Sequence, residues 1–158
     1  MSELANALAA KFKRSNADAI ATVERLSDGD WKNITGEGWT VAACAHHVAS
    51  VHDGIAGFIS DVANGNARPR PGIDVVDESN AKHAREYANC SKAEVLDELR
   101  LKGAAAAAIV RGLSDEQLAR TTAAIPGRPA VSAAQLIEMA LIGHVDVHIA
   151  SIKMATGS

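Results

Sequence analysis

The sequence predicts an all-α protein built as a four-helix bundle, and three observations predict it. Alanine supplies 32 of the 158 residues while aromatic residues make up only 3%, a balance that favours helices over strands. All four prolines fall in two short stretches, Arg68-Pro69-Arg70-Pro71-Gly72 and Pro126-Gly127-Arg128-Pro129, so long segments are free of helix breakers. Those segments repeat apolar residues at helical spacing, and most of them open on capping residues. The length suits one domain over residues 1–158, with a core that needs no disulfide staples.

The first helix is expected over about 2–26, with Leu4, Leu8, Phe12, Ala19, Val23 and Leu26 on its apolar side, stopping at Ser27-Asp28-Gly29-Asp30. The second spans about 40–64, from the N-cap Thr40 to the C-cap signal Asn64-Gly65. A short helix over about 77–87 follows. The third runs over about 92–112 from the capping-box pattern Ser91-Lys92-Ala93-Glu94, and its alanine run lets it approach its neighbours closely. Ser114-Asp115-Glu116-Gln117 starts a short piece over about 115–119. The fourth spans about 132–155 from Ser132-Ala133-Ala134-Gln135. Four amphipathic helices joined in this way pack as a bundle.

Charge and composition exclude several function classes. Sixteen basic residues against nineteen acidic ones leave a formal charge of −3 with no basic stripe, and Phe12, Trp31, Trp39, Phe58 and Tyr87 are too few to stack bases, so nucleic acid is not an expected partner. The apolar run Ala104 to Val110 lies between Lys102 and Arg111, far short of the roughly 20 residues of a membrane span. The N-terminus reads as amphipathic helix rather than signal peptide, and Cys44 and Cys90 form no disulfide framework, so the expected compartment is the cytoplasm.

The six histidines carry the chemical signal. On the second helix Val41, Cys44, Val48, Val51, Ile55, Phe58, Ile59 and Val62 form the core arc; His46 lies nearly opposite it and is expected in solvent, while His47 and His52 flank it and can reach inward. On the fourth helix His144 and His148 fall mid-stripe among Ile137, Ala140, Leu141 and Val147. Two imidazoles at i, i+4 lie on one side of a helix within reach of a single metal ion, and buried rings need partners that apolar neighbours lack. His47 is the favoured third ligand from the facing helix. His52 and His83 read as histidines bonded to a neighbour. Cys44, one turn before His47, is a weaker candidate for a fourth ligand, and Glu138 a weak candidate for a general base or for an acceptor behind the ligands. Asp53 and Asp146 read as surface charges. Trp39 is a weak candidate for substrate contact, against a packing role at the bundle end.

Trp39-Thr40-Val41, His47 eight positions after the tryptophan, and His144-Val145-Asp146-Val147-His148 resemble the DinB/YfiT-like superfamily of metal-binding four-helix bundles. Within it the chain is similar to the N-terminal bundle of mycothiol-dependent maleylpyruvate isomerases, in which a pair like Asn80-Ala81 follows the long loop. The resemblance implies a three-histidine site at His47, His144 and His148. It implies a divalent cofactor, zinc first with nickel or iron also suited to imidazole ligands, and an open position to activate a thiol or water. It further implies transfer of a low-molecular-weight thiol such as mycothiol or bacillithiol to a small-molecule substrate, and a possible homodimer through the outer face of the third helix. The alternative is a non-catalytic bundle that binds metal or a small ligand. Those isomerases carry a further domain after the bundle, whereas this sequence ends ten residues after His148, a departure that speaks against the isomerase activity itself.

Overall fold

In the computed structural model, which describes residues 1–158, four long helical stretches carry the chain, each opened by a hydroxyl cap. Ser2 accepts from the Ala5 N–H to start α1 (Glu3–Arg25). Ser27 and Asp30 form a reciprocal capping box, so the expected stop after α1 is a one-turn helix, α2 (Asp28–Trp31). Thr40 caps α3 (Val41–Ala63) through the Ala43 N–H, and its own hydroxyl donates to the Ala88 carbonyl at 2.8 Å. Helix α4 (Ile73–Glu86) begins earlier than the spacing predicts, directly after Pro71-Gly72. Helix α5 (Lys92–Arg111) is capped by Ser91, without the return bond from Glu94 that its pattern suggested. The boxes at Ser114 and Ser132 are reciprocal, and start α6 (Asp115–Ala119) and α7 (Ala133–Leu136).

Two features depart from uninterrupted helices. Strands β1 (Thr121–Thr122) and β2 (Val131–Ser132) pair antiparallel, Thr121 opposite Ser132, so the second proline stretch is the tip of a short ribbon. The fourth bundle helix is not regular: between α7 and α8 (Gly143–Thr156) residues Ile137–Ile142 form a π-helical turn, in which the Gly143 N–H reaches back to the Glu138 carbonyl. A π-turn holds more residues per turn than an α-helix, so it rotates everything before it relative to everything after it.

Helix α1 packs against α5 and α8, and α3 packs against the same pair. Successive long helices α1 and α3 therefore face each other across the diagonal of the bundle. Phe12, Val23, Val48, Ile59, Leu99, Val110, Leu141, Val145 and Ile152 are buried between them. One polar tie crosses this core. The Asn16 side chain donates to the Leu99 carbonyl at 2.9 Å and its oxygen takes the His52 Nε2–H at 2.9 Å, while the His52 ring stands edge-on to Phe12. Gly103 makes room for it, since a Cβ there would lie 2.1 Å from Asn16 Nδ2. No helix is long and apolar enough to cross a membrane.

The core stripe of the last helix differs from the sequence expectation. Val145, Ile149 and Ile152 are buried, whereas Val147 is 65% exposed. A uniform 100° per residue carried through the π-turn puts the stripe centre on the wrong side. His144 and His148 flank the stripe instead, and both line a cleft beside α3.

Candidate functional site

The cleft floor is built by α3 and α8. His47 Nε2 and His144 Nε2 face each other at 2.9 Å, and one ring nitrogen from each of His47, His144 and His148 lies within 4.8 Å of the others. Helix α8 places His144 and His148 one turn apart, with ring centroids at 4.6 Å, and α3 supplies His47 across the helix interface. Burial, and then the neighbouring His148 ring, push His47 down to about 4; the same two causes push His144 down to about 3. Both rings are therefore neutral at physiological pH and keep a lone pair for a ligand. The donor set fits a divalent ion: three neutral-capable imidazoles within bridging reach, two of them aimed at one point.

The turn before α3 completes the surroundings. Thr35 and Gly38 close it through the Gly38 N–H to the Thr35 carbonyl at 3.0 Å, with Gly38 at φ +84, and the Ile34–Thr40 bridge fastens its base. The turn presents Glu37, whose Oε1 lies 3.1 Å from His148 Nδ1 and whose Oε2 accepts from the Ser151 hydroxyl at 2.7 Å. Burial alone would raise the Glu37 pKa, but hydrogen bonds from Ser151 and Thr35, with the attraction of His148, outweigh it and hold the carboxyl below its usual value. A carboxylate on Nδ1 leaves Nε2 as the free nitrogen of His148 and fixes its ring. Trp39 walls the same spot, stacked on His148 at 5.9 Å and edge-on to His47 at 5.3 Å between ring centroids.

Several sequence candidates land elsewhere. Cys44 Sγ lies 3.7 Å from His148 Nδ1, the nitrogen Glu37 occupies, and groups with Glu37 and His148 rather than with His47 and His144. Burial, and then the charge of Glu37, push its thiol up to about 12, which keeps it protonated. Glu138 is not brought to the cluster: the π-turn directs it to the α1 side, where it pairs with Lys11 at 2.5 Å on the surface. His46 is buried, not solvated, because α4 and Tyr87 cover the outer side of α3. Its Nδ1 lies 2.7 Å from His83 Nε2, and Tyr87 stacks on its ring at 3.8 Å. Asp53 and Asp146 are exposed. Glu37 is the residue that sequence reasoning missed; its signal is the Gly36-Glu37-Gly38 turn set directly before Trp39-Thr40, which holds one acid at the mouth of a histidine-bearing helix.

Above the histidines opens a cavity of about 710 Å³, bounded by His144 and His148 below and by the loops that carry the prolines above. An adjoining space of about 550 Å³ reaches His47 beneath α4. Both are open to a ligand of small-molecule size.

The sequence of residues 11–152 matches the DinB superfamily. This protein belongs to the DinB superfamily. Solved structures agree with the fold of this DinB-superfamily bundle. YfiT from Bacillus subtilis, described as a probable metal-dependent hydrolase with an unusual four-helix bundle topology, has a TM-score of 0.75 at 18% identity, covering 99% of this chain and 90% of that one. An uncharacterized protein from Clostridium difficile 630 has a TM-score of 0.75 at 15% identity, covering 98% and 96%. The mycothiol-dependent maleylpyruvate isomerase has a TM-score of 0.74 at 12% identity; the match covers 96% of this chain, which spans 63% of the isomerase. No curated protein sequence matches the chain. At these identities the likeness is one of fold, and the chemistry must be argued from the site.

Proposed function

We propose that this DinB-superfamily protein is a metal-dependent enzyme in which His47, His144 and His148 hold one divalent ion, zinc first, and which transfers a low-molecular-weight thiol, or water, to a small electrophilic substrate. The observation that carries the reading is the convergence of three ring nitrogens within 4.8 Å at the floor of an open cavity. Three ligands leave a position for a reactant, the arrangement of catalytic rather than structural sites. A bound ion supplies Lewis acidity, which lowers the pKa of a thiol or water placed against it.

The chain's own residues do the rest. Burial keeps His47 and His144 unprotonated, so binding needs no proton loss from them near neutral pH. Glu37 orients His148 through Nδ1 and is itself oriented by Ser151. Trp39 covers one side of the cluster and limits water there. Two of the three fold relatives, one mycothiol-dependent and one a probable metal-dependent hydrolase, support a thiol or water as the nucleophile.

The test is metal analysis of protein purified without a polyhistidine tag, followed by reaction of mycothiol or bacillithiol with monochlorobimane. About one equivalent of metal is expected, lost in His144→Ala, with conjugation that follows the metal. Metal below a few tenths of an equivalent in reconstituted protein, unchanged by His144→Ala, overturns the reading. Full metal with no conjugation by any thiol and no hydrolysis leaves a binding bundle instead.

A further inference from the structure

The cavity over the histidines has a charge pattern that the metal does not explain. The loop between α3 and α4 and the ribbon between β1 and β2 meet over it, tied by the Arg70 N–H to the Ala124 carbonyl at 2.8 Å. Each brings one arginine to the cavity wall: Arg70 from the first, Arg128 from the second. Arg70 also lines the adjoining space that reaches His47. No acidic residue lines either space, although the chain as a whole carries a charge of −3.

Neither guanidinium forms an ion pair or a hydrogen bond with the protein. The ion pairs of the chain use Arg100, Arg120, His148 and lysines, and no side-chain hydrogen bond involves Arg70 or Arg128. Arg70 Cζ lies 4.8 Å from the Phe58 ring centroid, which holds the guanidinium against the wall while its N–H groups bond to no protein atom. Much of the remaining wall is apolar, formed by Phe58, Ile73, Val76, Ile125 and Met139. Two unpaired forks and an apolar lining in one cavity match a molecule that carries both an anionic group and an apolar body.

We propose that the substrate is an amphipathic carboxylate, its anionic head held by Arg70 and Arg128 and its apolar body lying along Phe58 and Val76 towards His144 and His148. The direction of the reactive end rests on the metal-dependent reading above; the recognition of the anion does not. Arginine suits the task because its planar fork binds a carboxylate through two parallel hydrogen bonds.

The test uses a matched pair of probes, 1-naphthaleneacetate and its neutral amide 1-naphthaleneacetamide, titrated calorimetrically into the tag-free protein, first dialysed against EDTA and then zinc-loaded. Metal-free protein is expected to bind the acetate about tenfold more tightly than the amide, since charge-assisted hydrogen bonds exceed neutral ones. Arg70→Gln and Arg128→Gln each shrink that preference by about threefold and the double variant abolishes it, with the affinity for the amide unchanged. Both residues lie on exposed loops, and a thermal melt confirms that each variant folds. Equal affinities, no binding of either probe, a preference that survives both substitutions, or one that exists only with zinc overturns the proposal. Zinc titration of the same samples separates the two readings. A protein that takes no zinc but prefers the acetate refutes the metal-dependent function alone; one that takes zinc without the preference refutes this assignment alone.

Discussion

Gly103→Ala reverses the usual effect of replacing a helix-interior glycine. Alanine is ordinarily better there by about 1 kcal/mol. At this position the new Cβ would stand 2.1 Å from Asn16 Nδ2 and 2.8 Å from its Cγ, so Asn16 must leave. Its departure removes the bonds to the Leu99 carbonyl and from His52 Nε2, both in the core. Two hydrogen bonds are worth about 1 kcal/mol each, and the His52 donor left without an acceptor costs about 1–3 kcal/mol more. Net of the propensity gain, the substitution is expected to destabilise by about 2–4 kcal/mol, or a fall of about 5–15 °C in Tm for a chain of this size. Urea and thermal unfolding followed by circular dichroism measure it. The decisive arm is the Asn16→Ala background, where the obstruction is gone and Gly103→Ala should stabilise by about 1 kcal/mol. A neutral or stabilising effect in the parent protein, or a persisting loss of more than about 1 kcal/mol in the Asn16→Ala background, refutes the packing argument.

Three further outcomes follow from the same geometry. Glu37→Gln keeps the shape but loses the charge that fixes His148, and is expected to weaken zinc binding by about 10–100-fold in a chelator competition, with the fold unchanged; an unaltered affinity would mean that Glu37 does not orient the ring. Burial, and then the charge of Lys102, push His52 down to about 4. The unfolded chain therefore takes that proton first, so stability is full above about pH 6.5 and drains as pH falls towards 4, by about 3 kcal/mol in all. Urea midpoints between pH 7 and 4 should show a shallower fall in His52→Asn than in the parent, and parallel curves would count against it. His83→Ala removes the 2.7 Å contact to His46 and the stack on Tyr87, so amides of α4, which has no fully buried residue, should exchange faster while those of α1 and α5 keep their protection; unchanged exchange in α4 would show that it is held elsewhere.

Much of the architecture is legible in residue order, because helix starts and apolar stripes are local. Ser2, Thr40, Ser91, Ser114 and Ser132 all cap helices, and a cap needs only residues within three positions of itself. His47 and His144 could be picked out because i, i+4 spacing and helical phase are also local. Tertiary structure decided what depends on distant chain segments. The π-turn at Ile137–Ile142 rephased the last helix, which moved Glu138 to Lys11 and set His144 and His148 on the cleft floor rather than mid-core. The cover of α4 and Tyr87 turned His46 from a surface residue into a buried one. Glu37 reaches His148 across 111 positions of sequence, and Arg70 and Arg128 share a cavity only because two loops meet. Periodicity states which face of a helix is apolar; what stands opposite that face is set by the packing of the whole chain.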